Sequence, residues 1–171
     1  MGYHSGFTLI ELLVVISIIG LLASVILVSV SKARENSRIA KAKDDMDQLL
    51  KAMELAQLET GKELRIVTGS TCSDCNCRNR DIRNVPTTDP CYISWTNVVT
   101  SIKNAIKDSG ISDFNAPMRD PWGSPYCLDE NERESSPTNC TPDSFRSVGP
   151  DGLRGNSDDI NLTVPLSRPC P

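Results

Sequence analysis

Three groups of residues in this 171-residue chain have the types and spacing to do chemistry. The first is a set of seven cysteines, Cys72, Cys75, Cys77, Cys91, Cys127, Cys140 and Cys170. Such density in a short chain suits an oxidising compartment, with three disulfides and one leftover thiol as the simplest arithmetic; spacing alone leaves the pairing open. Cys72-x2-Cys75-x-Cys77 has the look of a metal knuckle. However, no second CxxC follows and the single histidine is His4, so zinc would need a cysteine-only set. No βαβ pattern surrounds Cys72 and Cys75, which separates them from a thioredoxin-type redox pair. The second group lies in Val148–Asn156, where three glycines surround Asp151, with Asp158 and Asp159 just beyond. Calcium takes about six to eight oxygens from carboxylates and carbonyls, and glycines let a loop turn its carbonyls inward. A glycine-rich hairpin whose aspartates cap turns has the same composition. The third is a single acid, Glu11, inside the apolar run "GFTLIELLVV" that starts at Gly6.

Little else points to catalysis. With no histidine beyond His4 there is no general base of the commonest kind, and no Ser/Asp or paired-carboxylate spacing stands out. Asp129 with Glu130 or Glu132 reads as a solvated loop. A net charge of -4 without a basic patch argues against nucleic-acid binding. The sequons Asn139-Cys140-Thr141 and Asn161-Leu162-Thr163 are weak motifs.

The elements that position these residues follow from periodicity. Phe7 to Ser31 has Glu11 as its only charge, and the 20 residues from Leu12 to Ser31 have none. As a helix they extend roughly 30 Å, a bilayer core. Ile39, Ala42, Met46, Leu49, Met53 and Ala56 recur at steps of three and four, so one helical face is apolar. Lys41, Lys43, Asp44, Asp45, Asp47 and Lys51 fall between them on a solvated face. No proline or glycine interrupts Leu21 to Thr60, and Gly61 supplies a stop. A basic start and a break after the apolar core, expected of a cleaved secretory signal, are both missing, so the helix is expected to stay. Beyond it come a short strand at Leu64 to Val67, a cysteine-rich connection, and a second helix from Trp95 to Asp108 with Trp95 as a core anchor. A turn at Asp120–Gly123 with Trp122 facing the core leads to a strand from Tyr126 to Leu128. Two more strands flank the glycine loop.

The stretch "GFTLIELLVVISIIGLLASVI" resembles the type IV pilin and type II secretion pseudopilin superfamily. Gly6 matches the residue before prepilin peptidase cleavage, Phe7 the N-methylated first residue, and Glu11 the fifth residue of the mature chain. The usual proline at the position of Val28 is absent. "DPWGSPY" followed by "GPDGLRGNSDDI" resembles the C-terminal region of the major, G-type pseudopilins. The resemblance implies that residues 1–6 are a leader removed on the cytoplasmic side. It implies that 7–31 form a transmembrane and assembly helix, 32–61 its amphipathic continuation, and 62–171 an extracytoplasmic globular region. The implied fold is α+β and pilin-like: a long N-terminal helix packed on a small antiparallel sheet of three or four strands, with a C-terminal loop region.

The resemblance also implies function. Glu11 meets the Phe7 amine of a neighbouring subunit as the helical homopolymer grows, a use that offsets the cost of an acid in lipid. Implied partners are further copies of the chain, prepilin peptidase, an inner-membrane assembly platform, and minor pilins or pseudopilins. Calcium would be held by Asp158 or Asp159 and by carbonyls near Leu153 and Asn156, with Asp151 adjoining. The expected product is a structural subunit of a type IV pilus-like filament, anchored in the membrane before assembly and periplasmic or surface-exposed afterwards. The alternatives are a major pseudopilin driving protein export, and a membrane-anchored binding module or enzyme.

Overall fold

A computed structural model describes Gly6, residues 8–109 and residues 115–170, with the backbone alone at 25, 27 and 28. The chain divides into two compact units, Met1–Ile39 and Ala40–Pro171. Helix α1, Leu9–Thr60, supplies the first and enters the second. α2 (Leu64–Thr68), a 3₁₀ turn at Cys75–Cys77 and α3 (Pro90–Ile106) follow. Strands β1 (Cys127–Asp129), β2 (Asp143–Ser147) and β3 (Ile160–Val164) form an antiparallel sheet in the order β1-β2-β3.

In the second unit the apolar stripe of α1 is buried at Ala42, Met46, Leu49, Met53 and Ala56. It meets the stripe of α3 (Trp95, Val98, Val99, Ile102, Ile106) and the inward residues Leu128, Phe145 and Val164 of the sheet in one core. At its centre the rings of Trp95, Tyr126 and Phe145 lie 5.6–5.8 Å apart, and Trp95 Nε1 donates to the Pro117 carbonyl. The fold is the expected α+β arrangement of a long N-terminal helix on a three-stranded antiparallel sheet. Trp122 is buried as well.

Four expectations are corrected. Leu64–Val67 is not a strand but the helical turn α2. Gly61 ends α1 with its backbone left-handed (φ 66°), and Ile66 and Val67 donate back to the Glu63 carbonyl, which puts Leu64 into the core. An apolar run this short has no period to separate strand from helix. α3 begins at Pro90 and not at Trp95: the Asp89 carboxylate accepts the Cys91 N–H and proline needs no donor at that position. Asp45 is not on the solvated face; it is buried beside Met46, accepts the Tyr126 hydroxyl at 3.4 Å and pairs with Lys41. Finally, Glu130 and Glu132 are not in a solvated loop.

Those two acids are 0% and 1% exposed. Glu130 accepts the Ser73 N–H (2.8 Å), the Ser73 hydroxyl (2.5 Å) and the Thr68 hydroxyl (2.8 Å). Glu132 accepts the Ser167 N–H and hydroxyl and pairs with Arg133. Asp129 takes Arg78 at 3.0 Å and Arg154 at 3.1 Å, and both guanidinium groups also reach buried Asp74. The segment that continues β1 is thus a row of carboxylates that tie down the cysteine-rich loop on one side and the C-terminal tail on the other. Buried charges persist only when paired and hydrogen-bonded: Asp74, Asp129 and Glu132 have arginine partners, while Glu130 has only serine and threonine donors and burial pushes its carboxyl up.

Candidate functional site

In the first unit the functional residues sit on an exposed apolar helix. Leu9, Ile10, Leu12, Leu13, Val14, Val15, Ile16, Ile18, Ile19, Leu21, Leu22, Ile26 and Val30 are all exposed. The helix is long and apolar enough to cross a membrane. The hydroxyls of Ser17 and Ser24 donate to the carbonyls of Leu13 and Leu21, so they present no unpaired donor to an apolar surrounding. α1 passes residue 28 and Gly20 unbroken.

Glu11 has partners within its own chain. Its Oε2 accepts the Thr8 N–H at 2.8 Å and the Thr8 hydroxyl at 2.6 Å, while the Thr8 Oγ1 accepts the Glu11 N–H at 3.4 Å. This is the reciprocal capping box of a helix N-terminus, where a threonine and a glutamate three residues later satisfy orphaned backbone donors. The pattern Thr-x-x-Glu before an apolar run is its sequence signature, a local signal of a helix start that spacing of apolar residues does not carry. Gly6 is exposed. Phe7, the expected first residue of the mature chain, lies outside the described residues. The expected meeting of that residue's amine with Glu11 of a neighbouring subunit therefore lies outside the described residues as well.

In the second unit the cysteines pair as Cys72–Cys75, Cys77–Cys91 and Cys140–Cys170, leaving Cys127 as a buried thiol. Burial pushes the Cys127 thiol up to about 12, so it remains protonated and unreactive at neutral pH. Among the described residues, one group of three potential metal-binding side chains has its ligand atoms within 4.8 Å of one another: Cys72, Asp74 and Cys75. Both of its sulfurs are engaged in the disulfide.

The aspartate loop closes between β2 and β3. Gly149, Gly152 and Gly155 all adopt positive φ (68°, 73° and 97°). A methyl group on Gly149 would lie 2.5 Å from the Asp158 carbonyl oxygen, so only glycine permits that approach. Asp151 accepts the Leu153 N–H and the Asn156 amide, and Asp158 accepts the Asp151 N–H at 3.3 Å. The Asp159 side chain is buried. Its Oδ2 accepts the Gly155 N–H at 2.8 Å and lies 3.9 Å from Arg146, while Oδ1 has no hydrogen-bond partner. Burial pushes its carboxyl above the ordinary range, with the Gly155 bond and Arg146 pulling it back. Leu153 is half exposed at the loop surface. The loop therefore gathers the expected residues, stitched by their own turn hydrogen bonds, around one buried carboxylate oxygen lacking a partner.

Comparison with known proteins adds to this geometry. Residues 1–27 match the family model of the prokaryotic N-terminal methylation motif. Over 155 residues the chain is 30% identical to the type II secretion system core protein G of Escherichia coli, an alignment covering 91% of this chain and 88% of the relative. The core protein G of Pseudomonas aeruginosa is 28% identical over 155 residues, covering 91% and 89% of the two chains. That of Aeromonas hydrophila is 28% identical over 159 residues, covering 92% and 90%. No solved structure matches. The similarity runs through both the helix and the globular unit, and it sets a secretion pseudopilin ahead of the pilus subunit as the better-supported reading. The chain belongs to the family of type II secretion system core G proteins, the major pseudopilins of the pilin-like superfamily, whose members are structural subunits and not enzymes.

Proposed function

We propose that this chain is the repeating subunit of a secretion pseudopilus, a filament built in the membrane whose growth drives protein export. The observation that carries the reading is the similarity to core G proteins across about nine-tenths of the chain, globular unit included. The N-terminal motif alone would serve a pilus equally well. In this reading prepilin peptidase cuts after Gly6 and the new Phe7 amine is methylated. The precursor rests in the membrane by its single apolar helix until the assembly platform and minor pseudopilins draw it into the polymer. The Phe7 ammonium of one subunit then takes the Glu11 carboxylate of another. An ion pair gains strength as the surrounding dielectric falls, so the packed apolar helices of a filament favour it.

Calcium in the C-terminal loop is part of the proposal. The unpartnered, buried Oδ1 of Asp159 suits a cation, and the carbonyls near Leu153 and Asn156, with Asp158 and Asp151, are of the oxygen type that calcium takes. A bound cation would offset the cost of burying the Asp159 carboxylate and hold the loop against the Asp81–Arg83 segment, whose Ile82 N–H already donates to the Gly152 carbonyl. Chelator should lower the melting temperature of the full chain in detergent micelles, and added calcium should restore it. An identical melt in both conditions removes the site.

The test of the main reading is genetic and chemical together. Deleting the chain from its host should abolish export of secreted enzymes and leave surface pili intact; loss of pili with normal export would overturn it. Mass spectrometry should find a mature chain beginning at N-methyl-Phe7, whereas one beginning at Met1 would rule out this assembly route.

A further inference from the structure

A polar pocket of about 550 Å³ lies in the second unit, away from the aspartate loop. Its walls are Glu63 and Arg65 at α2, the loop 133–137 after β1, and Arg168 with Pro169 in the C-terminal tail. The volume is within the roughly 300–1,000 Å³ usual for ligand sites. Two of these walls are held together by the Cys140–Cys170 disulfide and by the bonds from Ser167 to Glu132.

Three guanidinium groups gather there. Arg168 donates to Glu63 Oε1 at 2.6 Å. Arg133 pairs with Glu132 and stands 3.7 Å from the same Glu63 oxygen; it also donates to the carbonyls of Pro137 and Pro169. Its backbone is left-handed (φ 54°), a conformation unfavourable for a residue with a side chain, and those bonds hold it there. Arg65 is different. Among the described residues no carboxylate pairs with it, its charge reaches Glu63 only from beyond ion-pair distance, and its Nε is buried without a hydrogen-bond partner. Three cations thus face two buried carboxylates, Glu63 and Glu132. Of the two acids in the lining itself, Glu63 and Glu134, the second is solvent-exposed and shares its field with Arg78.

We propose that this pocket binds a carboxylate carried by a polypeptide, with Arg65 as the residue that receives it. Arg65 is half-buried at the lining with no carboxylate paired to it among the described residues, and a planar carboxylate can take two guanidinium N–H groups at once. The hydroxyls of Ser135 and Ser136 offer further donors at the lining, and the rings of Pro137 and Pro169 give apolar shoulders for a chain to lie between. The site is an open cleft and not an enclosed cavity, which suits one side chain or terminus of a partner protein. The role adds a recognition surface to the globular unit, independent of how the apolar helix assembles.

The test uses the full chain in detergent micelles and observes the arginine side-chain Nε–H resonances by NMR. Three probe peptides are titrated: acetyl-Ala-Asp-Ala-amide, acetyl-Ala-Ala-Ala with a free C-terminus, and acetyl-Ala-Ala-Ala-amide. We expect a saturable shift of the Arg65 resonance with at least one of the first two and none with the third; which of the two binds tells whether a side chain or a terminus is recognised. R65Q should weaken binding by about tenfold or more and R65K by less, since a charge-assisted bidentate pair is lost or halved. Among the described residues Arg65 has no hydrogen-bond acceptor to lose and touches Glu63 only through its field, so R65Q should keep a melting temperature close to that of wild type. Absence of a saturable shift, equal binding by R65Q, or inorganic phosphate binding more tightly than either acid peptide would each overturn the assignment.

Discussion

Asp143 is the sharpest place to test whether the buried acids are placed as described. It opens β2, its side chain is 1% exposed, and its Oδ1 accepts the N–H groups of Asn131 and Glu132, both at 2.7 Å. Its Oδ2 is buried with no partner. Burial, opposed by the two backbone bonds and reinforced by the charges of Glu132 and Asp129, pushes the carboxyl up from 3.8 to about 6. The folded state therefore holds this proton more tightly than the unfolded chain does. Stability from this group is greatest when it is protonated and falls as pH rises from about 4 through about 6, levelling off above. A rise of roughly two pH units corresponds to about 3 kcal/mol of ionisation penalty at pH 7. Asp143→Asn keeps the Oδ1 acceptor and removes the charge, at the cost of placing an amide N–H₂ where Oδ2 had no partner. The net expectation at pH 7 is a gain of about 1–2 kcal/mol, or a urea midpoint higher by about 0.5–1 M. Urea unfolding of the full chain in micelles, repeated from pH 5 to pH 7, is the assay. Wild type should become more stable on acidification and D143N should show a shallower slope. Asp81 and Asp89, held down by Arg83 and Arg80, lose their contribution only below the ordinary carboxylate range, outside that window. A variant destabilised at pH 7 with the wild-type slope would refute the reasoning.

Three further outcomes follow from the same contacts. Glu130→Ala should destabilise by about 3 kcal/mol and speed amide exchange across residues 68–75, because it strands two buried donors of Ser73 and the half-buried Thr68 hydroxyl; Glu130→Gln should be milder. Replacing both Cys77 and Cys91 by alanine opens a closed loop of 14 residues' separation and should cost about 3 kcal/mol, read in the same unfolding assay. Gly149→Ala forces a side chain into a left-handed backbone against the Asp158 carbonyl and should cost about 2–3 kcal/mol, with circular dichroism distinguishing a local loss from global unfolding.

What was legible in the sequence was whatever repeats locally. The stripes of α1 and α3 needed only spacing, and α1 ends at Thr60 because Gly61 stops it. The number of disulfides followed from counting, while their pairing depended on which residues the fold brings together. The carboxylates were misread for the same reason. Glu130 finds Ser73 across 57 residues, Glu132 finds Ser167 across 35, and Asp45 finds Tyr126 across 81. An acid is buried only when distant donors arrive, and nothing within a few residues announces them. Two signals were local and went unread: Asp89-Pro90 as a helix start, and Thr8-x-x-Glu11 as a capping box.

The contrast among these acids bears on why Glu11 in particular suits an exchange of partners. Glu130, Glu132 and Asp143 are enclosed, and removing their donors would open the globular unit. Glu11 has its donors three residues away on an exposed turn, so giving them up undoes a helix cap and opens nothing in the globular unit. In the proposed filament, cleavage after Gly6 would place an ammonium one residue before Thr8, at the helix end where a positive charge is least favourable. The cap keeps the acid satisfied while the chain is alone. An ammonium from a neighbour, in a surrounding of low dielectric, offers a stronger pair than a threonine hydroxyl and relieves that amine as well. The same carboxylate can thus serve the single chain first and the polymer afterwards, because the bonds holding it lie within one exposed helical turn.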